Sequence, residues 1–141
     1  MQPIEIFGYI TSTPKKVPLY LMSVSAGIPI PAESDIDQEV DLNEFLVEHP
    51  AATFFAKING NSFEKAGIYH GDILIVDSSI EPTDGKFVLV LINSDLAVRI
   101  YRTINGSVYL QSENRKFVPL EIEPYIKFDV IGVVTKVIHS L

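Results

Sequence analysis

The sequence predicts a mainly β domain, a folded-over barrel or sandwich with one short helix, preceded by an extended N-terminal arm. Three observations carry that expectation. Short runs of apolar and β-branched residues recur along the chain, most of them bounded by Gly, Asn or Asp turns. Residues 1 to about 35 instead hold Pro3, Pro14, Pro18, Pro29 and Pro31, which remove backbone donors and favour extended chain. Only one segment carries both a helix start and an apolar helical face.

Each element has its own local reason. In the arm, Pro18 to Ser23 reads as one short strand. Asp41-Leu42-Asn43-Glu44 opens the helix: Asp41 can cap, Glu44 can reach back, and Leu42, Phe45 and Leu46 give the apolar face. This helix is expected to end near His49, before Pro50. Thr53 to Ile58 is the first strand of the main domain. Ile73 to Val76 is a continuous apolar run, as in a strand buried on both faces. Phe87 to Ile92 and Leu96 to Tyr101 flank the turn Asn93-Ser94-Asp95, and Val108 to Gln111 follows the hairpin signal Asn105-Gly106. Phe128 to Ile138 is a long last strand in which Gly132 marks a bend or bulge. The expected division is therefore an arm, residues 1–35, and a domain, residues 36–141. Because short β domains need their edges covered, the last strand is expected to provide part of that cover in a homodimer.

Composition narrows the function. With 47% hydrophobic and 21% charged residues, the 141-residue chain is a folded domain and not a disordered one. A net charge of −7 repels phosphate backbones, so direct nucleic-acid binding is not expected. The absence of cysteine excludes disulfides, thiolate zinc sites and a cysteine nucleophile. No run approaches the roughly 18 apolar residues of a membrane helix, and no signal peptide is visible, so a cytoplasmic protein is expected. His49, His70 and His139 show no ligand spacing, and no phosphate-binding loop is present; neither a metal nor a cofactor is expected. Asp72 and Asp77 read as structural groups around a buried strand.

The candidate chemistry centres on Asn59-Gly60-Asn61-Ser62-Phe63, where a strand runs into a turn. A serine at such a corner can present its hydroxyl outward, as a nucleophile must. Locally it can equally be a turn serine capping the segment Phe63 to Ala66. The wider pattern distinguishes the two. Gly60-Asn61-Ser62-Phe63 is followed by Ala66-Gly67-Ile68 and Gly71-Asp72-Ile73-Leu74-Ile75-Val76-Asp77; upstream lie Ser25-Ala26-Gly27-Ile28-Pro29 and Val40-Asp41-Leu42-Asn43, and downstream Asp129-Val130-Ile131-Gly132-Val133-Val134. In order and spacing these residues, from about Leu19 to Val137, resemble the self-cleaving Ser–Lys peptidase family of LexA and UmuD, and in particular its short UmuD-like members.

The resemblance implies a mechanism. Ser62 would be the nucleophile and Ala26–Gly27 the scissile bond, in the arm of the same or a neighbouring chain. The family's general base is a lysine on the hairpin after the serine, which burial keeps neutral enough to take a proton. Here that position falls on Arg99, and no lysine occurs between Lys86 and Lys116. Arginine keeps its proton, with a pKa above about 12, so slow or absent self-cleavage is expected. For UmuD-like members the resemblance further implies a role in the DNA-damage (SOS) response, RecA-filament stimulation of arm removal, and a trimmed homodimer that joins a UmuC-like polymerase in lesion bypass. Two other functions fit the same residues. A LexA-like transcriptional repressor would need an N-terminal helix-turn-helix, whereas Met1 and an arm of UmuD length read as a natural start. A catalytically dead interaction module would follow from Arg99.

Overall fold

The structure, a computed structural model, describes residues 4–8, 13–20, 36–60, 63–112, 120–121 and 128–141. Its elements run β1 (Ile4–Gly8), β2 (Lys16–Tyr20), β3 (Ile36–Asp41), α1 (Leu42–Leu46), β4 (Thr53–Ile58), β5 (Ile73–Asp77), β6 (Phe87–Ile92), β7 (Asp95–Ile104), β8 (Ser107–Gln111), β9 (Leu120–Glu121) and β10 (Phe128–Ile138). The fold is mainly β with antiparallel pairing throughout and one short α-helix, as expected. The chain divides into two units, Met1–Tyr9 with His49–Leu141, and Ile10–Glu48. The expected arm thus contributes β1 to the first unit and β2 to the second.

In the smaller unit β2 and β3 form a two-stranded ribbon, Lys16 opposite Asp41 and Val17 opposite Val40. Asp41 ends β3 and caps α1: its Oδ1 accepts the Asn43 amide at 3.0 Å and the Lys15 amide at 3.2 Å. The Asn43 side chain donates to Thr13 O at 2.9 Å, and Leu42 N–H to Lys15 O at 2.7 Å. The cap lies where the sequence places it. The helix ends at Leu46, three residues before His49, where Val47 returns to extended backbone and its N–H reaches Asn43 O.

The larger unit is an eight-stranded sheet in the order β1-β4-β5-β10-β6-β7-β8-β9. Strand β10 is the junction; paired on both sides within the sheet, it is not the edge strand that the sequence suggested as part of a dimer cover. Its C-terminal part, Val133 to Ile138, pairs with β5, and its N-terminal part, Phe128 to Val133, pairs with β6. Each pairing carries a bulge, at Val130/Gly132 against β6 and at Val134/Lys136 against β5. A strand that changes partners through bulges is the usual way for one sheet to become two facing leaves. The core agrees: Ala56, Ile58, Leu74 and Val76 of one leaf cluster with Leu89 and Val98 of the other, together with Phe63 and Ile68. The opposite face of the second leaf is covered separately, by Val88, Val90, Leu110 and Val133 packed with Tyr101, Phe128 and Val130.

Gly132 sits at this junction for a steric reason. A Cβ there would lie 2.7 Å from Val76 Cγ1 and 2.9 Å from the Asp77 carbonyl oxygen, so β5 and β10 approach this closely only over a glycine. The two hairpin turns also match their sequence signals. Asn93 and Ser94 have φ 48° and 71°, and Asn105 and Gly106 have φ 51° and 80°, the paired left-handed conformations of two-residue turns that suit twisted strands.

Candidate active site

The loop from β4 to β5, residues 59–72, carries the serine motif. Ser62 and Asn61 lie outside the described residues, as do Ala26 and Gly27 of the expected cleavage site. The residues on either side of Ser62 are defined. Upstream, β4 delivers Ile58, whose N–H donates to Asp72 O and whose carbonyl accepts from Gly71 N–H, both at 2.8 Å. Gly60 then turns at φ 108°, a conformation open to glycine, and its N–H donates to His70 Nδ1 at 2.7 Å. Downstream, Phe63 is 1% exposed and stands edge-on to Phe87, ring centroids 5.4 Å apart. Phe63 forms a β-bridge with Ile68 around a single 3-10 turn, Glu64–Ala66, which closes on Gly67 at φ 86°. Buried Phe63 therefore moors the chain one residue after Ser62, and the strand end moors it four residues before.

Two buried carboxylates flank β5, and a histidine half open to solvent meets each. Asp72, at its start, accepts the Tyr69 amide at 2.8 Å on Oδ2 and contacts His139 Nδ1 at 2.5 Å through Oδ1. Asp77, at its end, contacts His49 Nδ1 at 2.5 Å through Oδ2, while Oδ1 accepts the Ser79 amide and hydroxyl. Burial by itself would raise the Asp77 carboxyl, but the Ser79 and His49 hydrogen bonds and the charge of His49 outweigh it and hold it below the ordinary carboxylate value. Both carboxylates are hydrogen-bonded groups that pin strand ends, in keeping with their sequence reading. The histidine partners were not legible: His49 lies 28 residues from Asp77 and His139 lies 67 from Asp72. The signal available was a pair of acidic residues bracketing a wholly apolar strand, which must find donors if both are buried.

Arg99 lies on β7 opposite Val88 of β6, on the same face of the strand as Ala97 and Tyr101. It is half-buried, and Nη1 donates to Val98 O at 2.8 Å. Burial pushes its pKa down from the ordinary value. The ion pairs described, among them His49–Asp77, Arg102–Asp84 and His139–Asp72, do not involve it. The guanidinium is a half-buried cation, able to donate and unable to accept a proton. Among the described residues no three His, Asp or Glu side chains converge as a metal site, and no helix is long and apolar enough to cross a membrane.

Residues 18–135 match the family model described as Peptidase S24-like. The chain belongs to this family, the S24-type peptidases of LexA and UmuD. Protein MucA of Salmonella typhimurium is 36% identical over 126 residues, covering 89% of this chain and 84% of MucA. Protein ImpA of Shigella flexneri is 36% identical over 123 residues, covering 86% and 83%. The LexA repressor of Colwellia psychrerythraea is 31% identical over 118 residues, covering 83% of this chain but 56% of the repressor. Self-cleaving serine peptidase chemistry is therefore the activity of the S24 family to which this fold belongs.

Proposed function

We propose that this chain is a UmuD-like protein of the SOS response in which Ser62 holds the nucleophile's place, Arg99 stands at the base position, and Ala26–Gly27 is the bond to be cut. The observation that carries this reading is one of likeness. The chain is 36% identical to MucA and to ImpA over more than four-fifths of their length, against 31% to the LexA repressor, which favours the UmuD-like members. On this reading residues 1–35 form the arm that contains the cleavage site, so that cutting releases residues 1–26, and residues 36–141 form the peptidase domain. The trimmed homodimer serves a UmuC-like error-prone polymerase after RecA-filament stimulation, in the cytoplasm. The net charge of −7 favours protein partners over direct contact with DNA.

The chemistry of Arg99 favours a second reading for the chain as it stands. A permanently charged guanidinium can orient a hydroxyl or polarise a carbonyl, but it does not accept the serine's proton. Self-cleavage is accordingly slow or absent, and the protein acts as an interaction module with the dimer and polymerase-binding surfaces of its relatives.

One assay separates these readings. The chain, Arg99→Lys, and Arg99→Lys with Ser62→Ala are incubated at alkaline pH, with and without RecA filament, and the fragments are identified by mass. Cutting between Ala26 and Gly27 by Arg99→Lys alone is the expected result. Equal cutting by the unaltered chain would show that another group takes the proton. If no variant cuts under either condition, the peptidase reading is wrong and the interaction module stands.

A further inference from the structure

We propose that His70 is a positioning residue for the serine-bearing segment, holding the Gly60 amide on a neutral imidazole and so setting the chain two residues before Ser62. This inference rests on the reading of Ser62 as the nucleophile.

The argument starts from the mooring of the loop. Ile58 is tied to Gly71 and Asp72, and Phe63 is buried and bridged to Ile68. Four residues, Asn59 to Ser62, cross between these two anchors. Among the described residues, the side chain that reaches this crossing is His70, through the 2.7 Å bond from Gly60 N–H to Nδ1. The glycine is at φ 108°, outside the range that side chains favour and one of several open to glycine, and the bond to Nδ1 is the described contact that holds this orientation.

His70 is suited to be that partner because its own backbone is held on both sides. The preceding Tyr69 N–H donates to the buried carboxylate of Asp72, and the following Gly71 N–H donates to Ile58 O, each at 2.8 Å. Asp72 is in turn joined to His139 at the end of β10. The imidazole is therefore mounted on a segment secured to β4, β5 and β10, which is the support a positioning group requires. The bond also specifies chemistry. An Nδ1 that accepts carries no proton, so the ring is neutral with its hydrogen on Nε2. A doubly protonated ring has no acceptor to offer Gly60.

Nucleophile placement is steep in its effect on rate: an error of about 1 Å can cost on the order of 100-fold. The test uses the full chain in the Arg99→Lys background, comparing His70→Ala and His70→Asn. Asparagine keeps an acceptor oxygen near the Nδ1 position, and alanine does not. Self-cleavage is measured at alkaline pH with RecA filament, and backbone amide exchange is followed by NMR on uncut protein carrying Ser62→Ala. His70→Ala is expected to slow cleavage by roughly 10- to 100-fold and to speed exchange at Gly60 while Phe63 and Ile68 stay protected; His70→Asn restores most of both. In uncut protein with His70 intact, the His70 ring nitrogens should show the Nε2–H tautomer. If Arg99→Lys cuts and His70→Ala cuts equally fast, the positioning role is refuted. If Ala and Asn slow cleavage equally, the ring packs the loop and the acceptor is irrelevant, which also overturns the proposal. If Arg99→Lys itself never cuts, the peptidase reading fails first and takes this inference with it, a result distinguishable from the other two.

Discussion

Replacing Gly132 by alanine tests the junction of the two leaves. The added methyl carbon would stand 2.7 Å from Val76 Cγ1, 2.9 Å from Asp77 O and 3.0 Å from Asp77 C. The first contact can be relieved by moving a side chain, although Val76 is itself fully buried. The other two cannot, because they are backbone atoms of β5 at the position where Asp77 pairs with Val133. Relief requires β5 to move away from β10, which stretches ladder bonds worth about 1 kcal/mol each. Overpacking of a core by a methyl group costs about 1–3 kcal/mol. With two backbone contacts the upper end applies, and about 3 kcal/mol is expected. For a chain of this size each kcal/mol lowers Tm by about 3–5 °C, so Gly132→Ala should melt roughly 10 °C below the parent. The assay is urea unfolding followed by circular dichroism, reading the midpoint at unchanged slope. Gly106→Ala serves as the control: no atom lies within 4 Å of its Cβ, so its cost is conformational only, at φ 80°. A Gly132→Ala protein within about 0.5 kcal/mol of the parent, the scatter of neutral surface changes, would show that the close approach of β5 and β10 does not constrain this position.

Further expectations follow from the same geometry. Asp77→Asn removes a buried carboxylate that accepts from Ser79 and His49, and should cost about 1.5–3 kcal/mol near neutral pH by denaturant unfolding. Because the folded Asp77 pKa is depressed below 3.8, its contribution is full above that pH and drains as pH falls through the folded value. The parent should therefore lose more stability than Asp77→Asn as the pH falls below 3.8, and parallel acid limbs would refute the assignment. Phe63→Ala empties a site 1% exposed and should cost about 3–5 kcal/mol; a loss below about 1 kcal/mol would mean that the loop is not moored there. Arg99→Met removes a half-buried cation whose burial is not offset by a described carboxylate. It should leave stability unchanged or raise it by about 1 kcal/mol, and a comparable loss would reveal a counter-charge.

The strands readable from sequence were those whose ends are set locally. Thr53–Ile58, Phe87–Ile92 and Phe128–Ile138 have the expected limits, because turn residues or a proline bound them and their apolar runs are long. The arm strand, expected at Pro18 to Ser23, begins earlier at Lys16 and is described to Tyr20, since pairing with β3 and not local propensity sets its start. β1 went unseen for the same reason: five residues after Pro3 become a strand by pairing along β4, fifty residues away. β9 is two residues long and offers no pattern at all. At the site, Arg99 lies on the hairpin strand where its sequence pattern puts it, because the Asn93-Ser94 turn fixes that strand locally. The His70–Gly60 bond was not legible, because a histidine ten residues from its partner has no periodic signature. Its neighbour Gly71 was visible only as part of a motif and not as the residue that ties the loop back to Ile58.

The position of β10 has a bearing on how the molecule comes to exist. Strand β10 joins the rest: among the described residues β1, β4 and β5 pair without it, and so do β6 to β9, and the ladders between the two groups run through residues 128–138. A nascent chain therefore carries two incomplete sheets, each with an unsatisfied inner border, until residues 128–138 have emerged. Closure depends on contacts distant in sequence, which slows it, and the waiting borders are open to wrong pairing with other chains. Loss of residues 128–141 would accordingly not trim a tail; it would remove the strand that carries the ladders between the two groups and leave only their packed side chains to hold them together.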